Sequence, residues 1–344
     1  MKASEFIDVL MGQVPDSPPL FFFDFSLGIK AAGYRTEELF IPHYDGVKIA
    51  KSLLAARNEL GHDSAIGCPF VFDQRTIGGE MRYEGCAPPM VTRNAFVEAD
   101  RLYETDVNEM ASICPEQKRS FEYIREKDPE FCIGVSSPSP MSLGCQLRGY
   151  EAFVMESMTE PDYIADLTRF SREYIDIVQR NINDDDLAHY SMITSAFDIP
   201  EVFGSDYYRK MIIPTYKDSV DLARSYGLPS LIHPHGCLTD KEGTENLNDI
   251  IDTGVDSIYF GENNDVQKLA EQCKDRVSLV GGVDSFTTIF LGNEERIRDD
   301  VNSFADAFKG MPYIMSCSCS VESFLPMDKM KVMVDCTRKC GLRG

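Results

Sequence analysis

The densest group of side chains able to bind a metal lies at residues 233–237, where two histidines and a cysteine alternate with other residues. Alternate residues of an extended segment point to the same side, so His233, His235 and Cys237 could face one ion. Imidazole nitrogen and thiolate sulfur suit zinc, and a catalytic zinc keeps one coordination position open. The alternative is that the two histidines only form hydrogen bonds at the end of a strand.

Two other segments carry residues of the same kind. Cys317 and Cys319 follow an apolar run with one residue between them, and Glu262 follows another apolar run. Buried cysteine often only fills space, and a loop carboxylate is most often solvated, so each has a structural alternative. If these segments meet the histidines in space, Cys319 or Cys317 could add a thiolate and Glu262 could bind a metal or act as a base.

Four more polar residues are candidates for contact with a substrate or cofactor. Asp24 interrupts an apolar run, and because a buried carboxylate must be paired or solvated we expect it to face a ligand. Asp198 and Asp284 each follow a predicted strand, so both could touch a substrate. Arg148 lies in a predicted helix and could meet an anionic ligand, with a surface position as the alternative.

The candidates are connected by a regular alternation of short apolar runs and helical patterns. Eight runs are typical of buried strands, at residues 21–25, 62–66, 131–135, 190–194, 230–232, 257–260, 277–280 and 313–315. Parallel strands need such crossovers, which leaves a closed barrel or an open doubly wound sheet. No Gly-x-Gly-x-x-Gly motif follows the first run, which disfavours an open dinucleotide-binding sheet. The sequence therefore predicts the α/β class, as a (β/α)8 TIM barrel.

One barrel domain accounts for residues 1–344, since no linker or internal repeat divides the chain. A segment before the first strand forms an N-terminal extension, and residues 68–110, with Gly-Gly and Pro-Pro pairs, predict a hairpin-like insertion. In such barrels the chemistry gathers at the carboxyl ends of the strands. This rule places His233 and His235, Glu262, and the pair Cys317 and Cys319 on one rim.

Composition excludes several classes of protein and partner. Hydrophobic residues make up 43% of the chain, which argues against disorder, and the net charge of −22 disfavours nucleic acid and anionic membranes as partners. The 11 cysteines are scattered and odd in number, as expected of reduced thiols in the cytoplasm. Glu5 and Asp8 interrupt the start of the chain where a signal peptide is apolar. We expect a cytoplasmic protein without a membrane span; its oligomeric state stays open.

Four motifs carry a family resemblance. The stretches 139–149, 279–284 and 291–295 resemble Gly-Pro-Phe-Thr-Leu…Leu-Arg-Gly, Gly-Asn-Val-Asp and Leu-Gly-Thr-Pro-Glu-Glu motifs, and Cys319 to Pro326 keeps the spacing of Cys-Gly-x-Pro-Pro-x-Thr-Pro. The chain thus resembles the uroporphyrinogen decarboxylase superfamily. The likeness is to its methyltransferase branch, the zinc-dependent methylcobamide:coenzyme M methyltransferases.

The resemblance implies a set of zinc ligands. Cys319 matches the zinc cysteine of that branch, and His233-Pro234-His235-Gly236 matches its His-x-Cys-Gly, with histidine in place of cysteine. A shifted match would make Cys237 the ligand, but strand length and the turning glycine favour His235. Glu262 lies at the position of an acidic residue that can bind zinc when substrate is absent. The implied ligands are His233, His235, Cys319 and Glu262, with Cys237 and Cys317 in reserve.

The resemblance also implies a function: zinc-dependent transfer of a methyl group between a corrinoid carried by a partner protein and a small substrate, with a thiol as the first expected acceptor. Glu262, Asp198 and Asp284 are then the expected catalytic residues, and Asp24 and Arg148 the expected cofactor contacts. The alternatives are a methyltransferase that demethylates a methoxylated or methylated compound to load the corrinoid, and a barrel that only binds a corrinoid or tetrapyrrole. Porphyrinogen decarboxylation is disfavoured, because the N-terminal Arg-Gln-Ala-Gly-Arg signature is missing.

Overall fold

The computed structural model describes residues 1–70 and 72–343. These residues form ten strands: β1 (Phe21–Phe22), β2 (Ser64–Ile66), β3 (Glu80–Arg82), β4 (Met90–Arg93), β5 (Cys132–Pro138), β6 (Tyr190–Ser195), β7 (Ser230–Pro234), β8 (Ser257–Phe260), β9 (Ser278–Val283) and β10 (Tyr313–Cys317). Strands β5 and β7 to β10 are buried along their whole length, as expected of parallel strands covered on both faces.

Helices occupy most of the sequence between the strands. Those before the fifth strand are α1 (Ala3–Leu10), α2 (Leu27–Ala31), α3 (Glu37–Phe40), α4 (Gly46–Leu60), α5 (Arg101–Glu104), α6 (Val107–Met110) and α7 (Cys114–Lys127). Those after it are α8 (Pro140–Arg148), α9 (Tyr150–Thr159), α10 (Pro161–Asn183), α11 (Pro200–Phe203), α12 (Ser205–Tyr207), α13 (Ile213–Ser225), α14 (Lys241–Asp252), α15 (Val266–Cys273), α16 (Glu294–Ala307) and α17 (Met327–Thr337). Their apolar faces pack on the outside of the sheet.

Eight strands form one parallel sheet that curls into a nearly closed barrel. The strand order is β1-β2-β5-β6-β7-β8-β9-β10, and every pair is parallel. A bridge between Leu20 and Met315 joins the two edges, and the Met315 N–H donates to the Pro19 carbonyl at 2.8 Å. The predicted (β/α)8 TIM barrel is confirmed.

The first helix covers the amino end of the barrel. The hydroxyl groups of Ser257 and Ser278, which begin β8 and β9, donate to carbonyls at the end of α1 at 3.1 and 2.8 Å. Phe6 and Leu10 of this helix join the cluster of apolar side chains that fills the barrel interior. A ligand therefore reaches the strands from their carboxyl ends.

An antiparallel hairpin, formed by β3 and β4, lies within the range 68–110. It is tied to the end of α8, since the Gln74 and Asn94 amides both donate to the Gln146 carbonyl, at 2.8 and 2.7 Å. The Ala95 N–H in turn donates to the Gln74 side chain at 2.8 Å. These contacts attach the base of the hairpin to a helix that starts at the barrel mouth.

Within the described residues, no helix combines the length and the apolar character needed to cross a membrane.

His62 is a buried titratable group just before β2. Its ring lies between those of Phe22 and Phe131, at centroid distances of 5.1 and 5.4 Å, and neither ring nitrogen has a hydrogen-bond partner among the described residues. Burial, helped by the positive charge of Arg57, lowers the pKa of His62 to about 3. The native state therefore keeps this imidazole neutral at pH values where the unfolded chain protonates it.

A pH dependence of stability follows for His62. As the pH falls below 6.5, the ordinary pKa of histidine, the unfolded state gains a proton that the native state excludes, so the free energy of unfolding decreases. When the pH is lowered from 7 to 5, the free energy of unfolding should decrease by about 2 kcal/mol less in the His62→Phe variant than in the parent protein, as measured by urea unfolding. His43→Phe, at an exposed histidine, is the control. Equal losses in His62→Phe and the parent would contradict this account.

Candidate functional site

Three side chains from the carboxyl ends of β7 and β10 meet at the barrel mouth. His233 lies in β7 and His235 just after it, while Cys319 lies two residues beyond β10. The Cys319 Sγ atom is 3.4 Å from His233 Nε2 and 3.8 Å from His235 Nε2. The three possible ligand atoms all lie within 4.8 Å of one another. Segments separated by more than 80 residues thus bring two imidazoles and a thiol together.

His233 is held as a neutral imidazole. Its Nδ1–H donates to the Tyr259 carbonyl at 2.9 Å, so a lone pair remains on Nε2, the atom that faces Cys319. Burial lowers the pKa of His233 to about 4, although the hydrogen bond to Tyr259 and the charge of Glu262 act in the opposite direction. Metal-binding histidines characteristically donate the other ring N–H to such an acceptor, which fixes the tautomer and the ring orientation.

Tyr259 of β8 connects both halves of the cluster. Its carbonyl accepts the His233 proton, its ring stacks on the His233 imidazole at 4.0 Å, and its hydroxyl donates to the carbonyls of Cys317 and Cys319 at 2.9 and 2.7 Å. One residue therefore fixes the histidine and the cysteine relative to each other. Tyr259 was not among the residues predicted from the sequence; the available signal was a tyrosine within a predicted strand, three residues before Glu262.

The chain turns sharply after His235. The His235 N–H donates to the Ser195 carbonyl at 3.1 Å, and Gly236 has a φ of +104°, which only glycine adopts easily. A Cβ atom at Gly236 would also lie 2.6 Å from the carboxylate of Glu201. After this turn the Cys237 thiol has the Thr239 hydroxyl as its neighbour, at 3.7 Å, and it lies outside the group formed by His233, His235 and Cys319.

The two cysteines after β10 have different environments. Cys317 is fully buried, with its thiol 4.0 Å from the Met333 sulfur of α17, and burial raises its pKa to about 12. Cys319 is only partly buried and lines the mouth. Within this pair, Cys319 is therefore the cysteine that can meet the histidines.

Two cavities border the three side chains. The smaller, of about 130 Å³, is lined by Glu262 together with Asn263 and Ser318, so Glu262 lies beside the cluster but outside the group of close ligand atoms. The larger, of about 350 Å³, has walls that are mainly apolar and rich in phenylalanine. Its phenylalanines are Phe23, Phe25, Phe40, Phe70, Phe72 and Phe197. His233, His235 and Cys319 line both cavities.

Asp198 is buried behind the wall of the larger cavity. It accepts hydrogen bonds from Ser139, from Ser142 at 2.5 Å and from Ser195 at 2.7 Å. Burial raises the pKa of Asp198, and the three hydroxyl donors oppose that rise. The Ser142 hydroxyl also accepts the Phe197 N–H at 3.0 Å. The carboxylate thus ties the start of α8 to the loop that carries an aromatic wall residue.

The remaining predicted residues do not line either cavity. Asp24 accepts the Gly28 N–H at 2.9 Å, and burial raises its pKa to about 7. Asp284 accepts the N–H groups of the two residues after Ser285, both at 2.8 Å. Arg148 forms an ion pair with Glu156 at 2.6 Å. Each of these charges already has protein partners.

The donor set fits zinc. Two imidazole nitrogens and one thiolate sulfur are ligands that zinc accepts in three-ligand catalytic sites, which leave a fourth position for water or substrate. His233 already presents an unprotonated nitrogen, as metal binding requires. His233, His235 and Cys319 are the residues that would hold the ion.

A comparison with known protein families identifies the family of this chain. The family model described as uroporphyrinogen decarboxylase (URO-D) matches residues 1–340. The chain belongs to the uroporphyrinogen decarboxylase family. The resemblance found in the sequence is thereby confirmed.

Relatives within this family carry two kinds of name. Methylcobamide:CoM methyltransferase MtbA of Methanosarcina mazei is 23% identical over 312 residues, which cover 86% of this chain and 85% of that protein. A uroporphyrinogen decarboxylase of Chlorobium chlorochromatii is 31% identical over 105 residues, or 30% of this chain and 28% of that protein. The similarity to the methyltransferase thus covers a much larger part of this chain than the similarity to the decarboxylase.

Solved structures share the fold. A methyltransferase from Methanosarcina mazei aligns with a TM-score of 0.79 at 19% identity, covering 98% of this chain and 99% of that chain. A B12-independent methionine synthase from Shewanella sp. W3-18-1 aligns with a TM-score of 0.55 at 9% identity, covering 94% and 96%. In both alignments the shared barrel fold covers nearly the whole of this chain.

Tyr259→Phe should weaken zinc binding without unfolding the protein. The substitution keeps the carbonyl that orients His233 but removes the hydroxyl that fixes Cys319. Loss of such an outer hydrogen bond should lower zinc affinity by about tenfold or more, measured by competition with a chromogenic chelator. Tyr190→Phe is the matched control, since its hydroxyl contacts Ser64 in the same barrel interior. Equal zinc affinities in the two variants would show that Tyr259 has no such role.

Proposed function

We propose that this chain is a zinc-dependent methyltransferase that moves a methyl group between a corrinoid, carried by a separate protein, and a small substrate. The observation that carries the proposal is the group of His233, His235 and Cys319 at the barrel mouth, within 4.8 Å of one another and beside a cavity. Its support is the relationship to methylcobamide:CoM methyltransferase MtbA, which spans 86% of this chain.

The protein contributes position and charge. His233 supplies a neutral, oriented nitrogen, His235 a second nitrogen and Cys319 a single sulfur. Zinc, when bound, supplies a Lewis acid that lowers the pKa of a thiol or polarises an ether oxygen. Two imidazoles and one thiolate together carry one negative charge. The ligand set of the His-x-Cys-Gly motif, with its second cysteine after the last strand, would carry two. The three residues therefore leave more positive charge on the ion.

Access decides where the two reactants come from. Helix α1 covers the amino end of the barrel, and the aromatic cavity ends at the three metal-binding side chains. The small substrate would occupy this cavity with its reactive atom toward Cys319. The corrinoid would approach at the same carboxyl end of the strands, carried by its protein, because that end is the open one.

Two directions of transfer fit the cluster. A thiol in the cavity could accept the methyl group, as the sequence predicted first, or a methylated compound could donate it to the corrinoid. The aromatic character of the cavity favours the second direction. It also disfavours porphyrinogen decarboxylation, because none of its described lining residues is a lysine or arginine that could bind the substrate carboxylates.

Metal analysis tests the cluster. Protein purified without added metal should contain about one zinc per chain, and His233→Ala and Cys319→Ala should both lose it. Cys317→Ala is the matched control, because the Cys317 thiol faces α17 and should leave the zinc content unchanged. A parent protein that remains metal-free after incubation with zinc would contradict the proposed mechanism and favour a barrel that only binds a corrinoid.

Methyl transfer itself is measured with free cobalamin in place of the partner's corrinoid. The zinc-loaded protein should demethylate methylcobalamin with a thiol, or methylate cob(I)alamin from a methylated donor, and Cys319→Ala should lower either rate by about 100-fold or more. Equal rates in Cys319→Ala and Cys317→Ala would show that the cluster takes no part in the reaction.

A further inference from the structure

The larger cavity has an unusual wall for a site that handles small polar metabolites. None of its described lining residues is Asp, Glu, Lys or Arg, and the polar residues away from the metal cluster are Ser136, Gln146, Thr194 and Ser320. The rest of the wall is phenylalanine, proline and aliphatic side chains. Among the described lining residues, the titratable groups are therefore those of the proposed metal cluster.

The aromatic side chains form a continuous series that starts at the metal cluster. Phe23 lies edge-to-face on the His233 ring at 6.4 Å, and Phe25 lies edge-to-face on Phe23 at 4.7 Å. Phe70 continues the series at 5.9 Å from Phe25, and Phe40 follows at 5.1 Å. Neighbouring rings at steep angles present both edges and faces to a ligand, which suits a flat ring.

The hairpin of β3 and β4 supplies another wall of this cavity. Met81 and Val91, one from each strand, and the Pro88-Pro89 pair between the strands all line it. The barrel strands provide the metal-binding residues, whereas this insertion adds only apolar surface. The insertion is therefore placed to contact a ligand in the cavity.

The size of the cavity fits a substituted single ring. A dry cavity of about 150 Å³ lined by Leu, Ile and Phe is enough to bind benzene, and this cavity measures about 350 Å³. A thiol that carries a sulfonate group would lose its hydration in this cavity without meeting a positive side chain among the described lining residues. Among the described lining residues, a quaternary ammonium ion would meet no carboxylate, and the aromatic faces open to it are those of phenylalanine rather than tryptophan, the strongest cation-π partner.

We propose that the substrate is an uncharged aryl methyl ether, which this chain demethylates onto the partner's corrinoid. This inference rests on the proposed function. The bond between oxygen and the methyl carbon breaks and a bond between that carbon and cobalt forms. The electron pair comes from cobalt(I), which becomes cobalt(III), and the aryl oxide leaves and takes a proton from water. Gln146 and Thr194 are placed to bind polar ring substituents.

A binding panel tests the substrate class without the corrinoid. Calorimetry on the metal-free and the zinc-loaded protein would compare 2-methoxyphenol, 2-mercaptoethanesulfonate and tetramethylammonium. We expect 2-methoxyphenol to bind at least about tenfold more tightly than either ion in both forms. Tighter binding of the sulfonate thiol or of tetramethylammonium to either form, or no binding of 2-methoxyphenol, would overturn the inference.

A charge placed on the hairpin wall makes the test specific. Val91→Lys should weaken 2-methoxyphenol binding by about tenfold and strengthen binding of 4-methoxybenzoate, because the added ammonium faces the cavity. Val97→Lys, also at an exposed valine but outside the cavity lining, should change neither. Equal affinities in the two variants would overturn the role of the hairpin. These binding affinities are measured independently of zinc content and methyl transfer. The inferred substrate class can therefore be wrong while the proposed function is right, and the proposed function can be wrong while the inferred substrate class is right.

Discussion

The hydrogen bond from His233 Nδ1 to the Tyr259 carbonyl is the contact on which the proposed site depends. It sets the tautomer that leaves Nε2 free, and the hydroxyl of the same tyrosine fixes the chain at Cys319. Because Tyr259 lies in β8, between β7 and the strands that lead to β10, the spacing of the barrel strands determines the spacing of the donors. A rigid sheet thus holds the donor atoms of the proposed metal site more precisely than loops alone would.

The barrel and the insertion supply different parts of the proposed site. The strand ends carry the polar atoms of the cluster, and the hairpin and the phenylalanines just after β1, Phe23 and Phe25, shape the space next to it. If the inferred substrate class is right, a change in the insertion should alter which molecule is admitted without disturbing His233 or Cys319. Helix α8 contacts both parts: the serine partners of Asp198 tie its start to the loop with Phe197, and the Gln146 carbonyl near its end accepts hydrogen bonds from Gln74 and Asn94.

Much of this architecture could be predicted from the sequence, because buried parallel strands are short apolar runs with few alternatives. All eight runs correspond to barrel strands, although the first strand is only Phe21–Phe22 and the next residues run on toward the mouth. That the histidines meet the cysteine pair followed from the rule that strand ends converge, and the choice of Cys319 from that pair came from the family motif. The environment of Cys317 did not follow, since an i, i+2 pair gives no sign of which thiol points outward.

Other features depend on contacts that spacing does not encode. Tyr259 acts through its carbonyl and its hydroxyl, and no motif marks that role. From the sequence, Arg148 could bind an anionic ligand. In the structure its guanidinium forms an ion pair with Glu156 of the next helix, α9. The residues 68–110 could be recognised as an insertion, but the cavity wall they build appears only when the hairpin is folded over the mouth.

The most direct measurement of the central claim is zinc K-edge absorption spectroscopy on the zinc-loaded protein. The account predicts a single sulfur neighbour at about 2.3 Å, with nitrogen or oxygen neighbours at about 2.0–2.1 Å, and loss of the sulfur in Cys319→Ala. Two sulfur neighbours would mean that Cys237 or Cys317 joins the site. Absence of sulfur would mean that the two histidines and Cys319 do not share one ion.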